Sequence, residues 1–234
     1  MDSRDPVELW VRPVRSAAGP KPSHTREALA ETAIKIADNH GLRAASIRRV
    51  AAEIGAGPAS LYRYVKSHDE LLELMMDTVS AEYDLSLSGE PPIAQMLNLA
   101  KQGRTLMHRH TWLAPLLLTR PSLGPNSLRY LERSLSALES VDMPGPAKLT
   151  TVAMMTAMTS AFVQNELAAA SGAQDSGSEA RTQYLSSVVQ SGDYPLLADS
   201  LADRRAVDGA DQVFAGVVTS YLVGAGVPCL SGLG

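Results

Sequence analysis

Residues Ser46 to Lys66 read Ser-Ile-Arg-Arg-Val-Ala-Ala-Glu-Ile-Gly-Ala-Gly-Pro-Ala-Ser-Leu-Tyr-Arg-Tyr-Val-Lys. Ile47, Val50, Ala51 and Ile54 recur at helical spacing, which makes one face apolar and leaves Arg48 and Arg49 near its edge. Gly55 and Gly57 then supply backbone freedom for a turn, and Pro58 suits the first position of a new helix. In that second segment, Ala59 to Val65, the spacing turns Leu61 and Val65 inward and presents Ser60, Tyr62, Arg63 and Tyr64 outward. Two short helices joined by a glycine-bearing turn, the second rich in basic and aromatic residues, form a helix-turn-helix. Its second helix is expected to enter the major groove of double-stranded DNA.

The flanks extend the pattern. The spacing predicts an amphipathic helix over Thr25 to His40, with Leu29, Ala33, Ile36 and Ala37 inward and Gly41 closing its end. Ser67-His68-Asp69-Glu70 has capping-box spacing and opens a further helix. The run Leu42…Ser46-Ile47-Arg48-Arg49-Val50-Ala51…Gly55…Leu61-Tyr62-Arg63-Tyr64-Val65-Lys66…Glu70-Leu71-Leu72 resembles the N-terminal domain of the tetracycline-repressor (TetR) family over about Thr25 to Val79. The resemblance implies an all-α homodimer that represses transcription from a palindromic operator and releases it when a small molecule enters the C-terminal domain. It also implies that Tyr62, Tyr64 and Lys66 sit on phosphates, and that Pro58 and Ala59 offer apolar contact at base-reading positions. Arg48 and Arg63 are the side chains expected to reach base edges, with Ser60 beside them.

Charge divides along the chain. Met1 to Ser67 holds 11 Lys and Arg against 7 Asp and Glu, whereas the remainder holds 10 against 18, within a net charge of −4. A basic reading head on an acidic body fits a partner made of phosphates. No apolar run approaches the about 18 residues needed to span a bilayer, and Met1 to Trp10 lacks the order of a secretory signal, so a cytoplasmic protein without a membrane partner is expected. Cys229 is the single cysteine, which excludes an internal disulfide.

The expected organisation is a flexible arm over 1–22, a helix-turn-helix domain over 23–68, a helical ligand-binding and dimerisation domain over 69–225 and a tail over 226–234. Prolines, a glycine and small residues between Trp10 and Pro22 argue against a packed element, and Arg12, Arg15 and Lys21 suit an arm in the minor groove. Beyond Ser86 the punctuation separates helices around Ile93–Met107, Trp112–Leu118, Leu128–Leu138, Ala147–Ala170, Tyr184–Val189 and Val207–Leu222. The segments Ala147–Ala170 and Val207–Leu222 are apolar nearly all round, as expected of a core, an oligomer interface or both. The family resemblance makes them the four-helix dimer interface.

For an apolar or amphipathic effector, the candidate pocket combines Met107, Met154, Met155 and Met158 with Trp112, Tyr130 and Phe162 as walls. Gln164, Asn165 and Glu166 are its polar anchors, and His108 or His110 a polar contact. His108 and His110 are two apart on a helix and diverge, so a shared metal ion is not expected. The resembled family holds drug-bound magnesium through a histidine before a Thr-Arg-Pro, here Thr119-Arg120-Pro121. No cofactor signature, phosphate loop or catalytic constellation is visible. A helical carrier or enzyme with a structural helix-turn-helix is the alternative from another class, and an activator shares all the chemistry of a repressor.

Overall fold

The structure, a computed structural model, describes residues 7–12, 24–86, 89–172, 177–202 and 209–229. These residues form twelve α-helices and one 3-10 turn, with no strand among them. The head comprises α1 (Glu8–Val11), α2 (Arg26–His40), the turn Leu42–Ala44, α3 (Ile47–Glu53), α4 (Pro58–Leu61) and the start of α5 (His68–Ser80). Side-chain caps set these starts: Thr25 accepts from Ala28 N at 3.2 Å, Ser46 from Arg49 N at 3.2 Å and Ser67 from Glu70 N at 3.1 Å. Gly55, at φ +68°, makes the turn between α3 and α4 that other residues resist. The expected capping box closes only on one side. Glu70 carries its carboxylate past the cap to Lys66 N, at 2.7 Å, because Arg12 holds it there.

The body adds α6 (Pro92–Arg109), α7 (Leu113–Thr119), α8 (Pro125–Ala137), α9 (Gly145–Gly172), α10 (Gly177–Gln190), α11 (Pro195–Ala202) and α12 (Ala210–Gly224). One core is shared between head and body: Leu29, Val50, Leu61 and Leu71 join Leu106, Met107, Trp112 and Val163. A second core lies within the body, built on Met96, Leu99, Met155, Phe214 and Leu222. Arg104 ties three body helices together. Its guanidinium donates to Glu166 at 2.6 and 2.9 Å and to Asp211 at 2.6 Å, and lies 5.7 and 5.1 Å from the ring centroids of Phe162 and Phe214. The Arg104 contacts hold the Glu166 carboxyl below the usual carboxylate range.

Two elements depart from the sequence reading. The spacing gave no helix over Pro195–Ala202, whose eight residues, opened by a proline, carry little periodicity. The leader differs more. Instead of an unpacked arm, α1 buries Leu9 completely, and Trp10 Nε1 donates to Glu73 Oε1 at 3.0 Å. Arg12 donates to Glu70 Oε2 at 2.6 Å, so it is committed to α5 and not free for a minor groove. The burial of Glu70 accounts for this, since a carboxylate taken out of water is costly unless it is paired or hydrogen-bonded. Arg15 and Lys21 lie outside the described residues. Leu9→Ala is therefore expected to cost about 2–4 kcal/mol, as a core leucine does; a thermal melt that does not move would return this segment to solvent.

Candidate functional site

The exposed face of the head gathers most of the residues expected to meet DNA. Arg48, Pro58, Ala59, Tyr62, Arg63 and Lys66 are exposed and Ser60 is half-exposed. Ser60 Oγ donates to Gly57 O at 2.7 Å, which steadies the start of α4, and Arg63 Nε donates to Ser60 O at 3.1 Å. Tyr64 is a correction. It is 4% exposed, with its ring in the core and its hydroxyl buried, so the outward placement does not hold. The cause is the length of α4: it ends at Leu61, and Tyr64 N and Val65 N both return to Leu61 O, turning the Tyr64 ring inward. Arg63 stacks on that ring at 5.2 Å, so Tyr64 supports the exposed Arg63 side chain from behind.

Behind the head lies a cavity of about 600 Å³, bounded by the end of α5, α7, α8 and α9. Leu113, Leu117, Leu131, Val152 and Met154 make its walls apolar. Tyr83 and Tyr130 sit side by side in it with ring centroids 4.5 Å apart. Burial pushes both phenols up, Tyr83 well above its ordinary value, so both are neutral hydroxyls at physiological pH. Arg120 is the only charged residue among the lining side chains.

Of the residues expected to bind a ligand, Met154 and the aromatic Tyr130 line this cavity; the others are elsewhere. Met107 is in the shared core, where its sulfur accepts from Ser160 Oγ at 3.6 Å. Trp112 Nε1 donates to Asp38 Oδ1 at 2.7 Å, and His110 Nδ1 lies 2.9 Å from the same oxygen, so both fasten the body to α2. His108 Nε2 is 2.8 Å from Glu166 Oε2. Phe162 packs edge-on against Phe214 at 5.1 Å, Met158 is half-buried away from the cavity and Asn165 is exposed. Ion pairs and core packing fill the space between 107–112 and 154–166 where the pocket was expected. The cavity opens instead one side-chain row around α9, along Leu149, Ala153 and Ala157.

A line of acids on α5 joins cavity to head, and the sequence reading missed it. Asp69, Glu73 and Asp77 stand four residues apart, hence on one helical face. Arg120 Nη1 donates to Asp69 at 2.8 Å. Glu73 Oε1 accepts from Ser122 Oγ at 3.1 Å and Leu123 N at 2.9 Å, besides Trp10. Asp77 accepts from Asn126 N and Ser127 N, both at 2.9 Å, capping the entry to α8. Gly124 permits this approach, because a Cβ there would fall 2.3 Å from Asp77 and 2.6 Å from Trp10. The cavity's outer wall is thus fastened to the helix that continues the DNA head. Three carboxylates inside a run of leucines and methionines were the available signal.

A basic helix-turn-helix head on a helical body with an apolar cavity defines a DNA-binding transcriptional regulator. Comparison with known proteins gives the family. Residues 29–75 match the model for bacterial regulatory proteins of the tetR family, and residues 89–224 match the tetracyclin repressor-like C-terminal domain. The chain is 34% identical over 208 residues to the HTH-type transcriptional repressor DrrR1 of Streptomyces coeruleorubidus, spanning 86% of this chain and 77% of that protein. Apo ActR of Streptomyces coelicolor superposes with a TM-score of 0.72 at 27% identity, covering 87% of this chain and 98% of ActR. ActR in complex with actinorhodin gives 0.72 at 26% identity, over 86% and 96%. The chain belongs to the TetR family of transcriptional regulators.

Arg63→Ala is expected to cost about 1–3 kcal/mol of discrimination between operator variants, as loss of a base-reading arginine does. Lys66→Ala should weaken all duplexes alike and lower the salt slope of binding by about one. Titrations at several salt concentrations separate the two, and unchanged binding by both would remove these residues from the interface.

Proposed function

We propose that the chain is a dimeric repressor that leaves its operator when an apolar or amphipathic small molecule occupies the cavity between α7, α8 and α9. The observation that carries this reading is the attachment of the cavity wall, residues 120–127, to α5 by Asp69, Glu73 and Asp77. A molecule that displaces this wall acts on the helix leading directly to Lys66. A ligand shifts such an equilibrium only through unequal affinity for two states, and movement of the wall supplies that inequality. The complex of the structural neighbour ActR with actinorhodin supports a small-molecule occupant, and the paired rings of Tyr83 and Tyr130 in the cavity favour one that bears rings. The apolar walls and paired tyrosines suit sensing, and no histidine or carboxylate among the described residues lines the cavity to serve turnover, which favours a regulator over the enzyme alternative.

The second copy is proposed to pack on α9 and α12. On α12, Gly216, Val217, Ser220, Val223 and Gly224 form an exposed stripe of small and apolar residues at helical spacing. Ala161, Asn165 and Ala168 form an exposed row on α9, which gives Asn165 a place at the interface instead of in the pocket. The domain division proposed is a head through residue 68 and a body from 69, with residues 7–12 belonging to the head's core. No described helix is long and apolar enough to cross a membrane; a DNA partner supports the reading of a cytoplasmic protein.

Two outcomes are expected. Val217→Glu, exposed in the single chain, should sediment as a folded monomer and lose operator binding at micromolar concentration; a persisting dimer would move the interface. A screen of ring-bearing metabolites should find compounds that raise the melting temperature and weaken operator binding. The operator must weaken those compounds by the same factor. Ala157→Trp, which fills the cavity, should abolish the thermal shift, and an undiminished shift would place the effector elsewhere.

A further inference from the structure

Arg120 stands where two demands meet. It lines the cavity as its single charged group, and its Nη1 also donates to Asp69 Oδ1 at 2.8 Å. The hydroxyls around it are committed to the protein. Thr119 Oγ1 donates to Leu116 O at 3.1 Å, Ser122 Oγ to Glu73 at 3.1 Å and Ser127 Oγ to Ser122 Oγ at 2.8 Å. The one charged donor left for an occupant is the rest of the guanidinium, beside the neutral hydroxyls of Tyr83 and Tyr130, and no carboxylate among the described residues lines the cavity to repel an anion. The partner, in turn, is easily replaced. Asp69 is 52% exposed and Arg120 36%, so water competes for the pair and its net strength is small. A carboxylate arriving through the apolar cavity competes for the same guanidinium, whose planar fork suits two parallel bonds to one carboxylate.

We propose that Arg120 is the anion receptor of the cavity and that the effector is a ring-bearing carboxylate, which takes Arg120 from Asp69. This rests on the reading of the cavity as the effector site. Chemistry and regulation then share one side chain. Asp69 lies in the first turn of α5, three residues beyond Lys66, where the helix dipole stabilises its charge without Arg120. The exchange therefore leaves α5 folded. It releases the wall from the end of α5 nearest the DNA, while Glu73 and Asp77 keep the remainder attached. A neutral ring compound of the same size makes no such exchange and acts on the wall only through its bulk.

The test uses two matched probes, anthraquinone-2-carboxylate and anthraquinone-2-carboxamide, titrated calorimetrically into the full chain and variants of unchanged melting temperature. Wild type is expected to bind the carboxylate about tenfold or more tightly than the amide, the gain of a charge-assisted contact. Arg120→Gln should reduce that preference to less than about twofold, since only neutral contacts remain. Asp69→Asn should tighten the carboxylate by about threefold or more and leave the amide unchanged, because the competing anion is gone. A preference that survives Arg120→Gln, or Asp69→Asn with both affinities unaltered, overturns the proposal. If both probes bind equally and Ala157→Trp abolishes both, the cavity reading stands and the anion receptor falls. If neither probe binds wild type, or Ala157→Trp leaves binding intact, both fall.

Discussion

Glu70, Glu73 and Asp77 are carboxylates with at most 3% exposure on a helix otherwise made largely of leucine and methionine. Carboxylates removed from water in this way persist only with ionic or hydrogen-bonded partners, and breaking a buried ion pair such as Glu70–Arg12 typically costs about 3–5 kcal/mol. Their partners come from three places. Arg12 and Trp10 come from the leader, Lys66 N from the end of the reading head, and residues 122–127 from the cavity wall. A requirement for charge satisfaction thus sets the position of the leader, the head and the wall relative to one helix. The apolar core shared by head and body would tolerate some sliding of smooth surfaces; the directed bonds to α5 fix one register.

A second clamp works in parallel. Asp38 on α2 receives Trp112 Nε1, and His110 lies between Asp38 and Glu82 at 2.9 and 3.2 Å. This clamp holds the head to the junction of α6 and α7, on the side of α7 away from the wall. Together the two sets of bonds make a body with one firmly attached face and one face whose attachment includes the exposed Arg120–Asp69 pair. That inequality is what a switch needs: an element with two arrangements and a site that favours one of them.

The head was legible because its signals are local. Caps at Ser46 and Ser67, a glycine at positive φ and a proline at the first turn each act within four residues. The body helices were legible for the same reason, through punctuation by Pro-Gly and Ser-Gly segments. Tyr64 was misread because helical spacing was carried past Leu61, where the backbone has already left the helix. The cavity was misplaced because its walls join residues 79–83, 113–131 and 149–157, and only packing brings them together. Methionine content pointed to α9 but not to the side of it on which the cavity lies, since a helix apolar all round gives no direction. Asp69, Glu73 and Asp77 were the overlooked signal; an acid every fourth residue within a buried helix requires partners from elsewhere in the fold.

The most direct test of coupling between cavity and head needs no ligand. Ala157→Trp places an indole in the cavity, and operator affinity is measured on a duplex selected from a randomised pool, with the variant alone and combined with Glu73→Ala. If the wall transmits occupancy through α5, the indole alone should weaken operator binding by about tenfold, within the usual range of coupling between sites. Combined with Glu73→Ala, it should add little to whatever that substitution does by itself. Operator affinity that ignores the indole, or a loss that is fully additive with Glu73→Ala, would contradict the account.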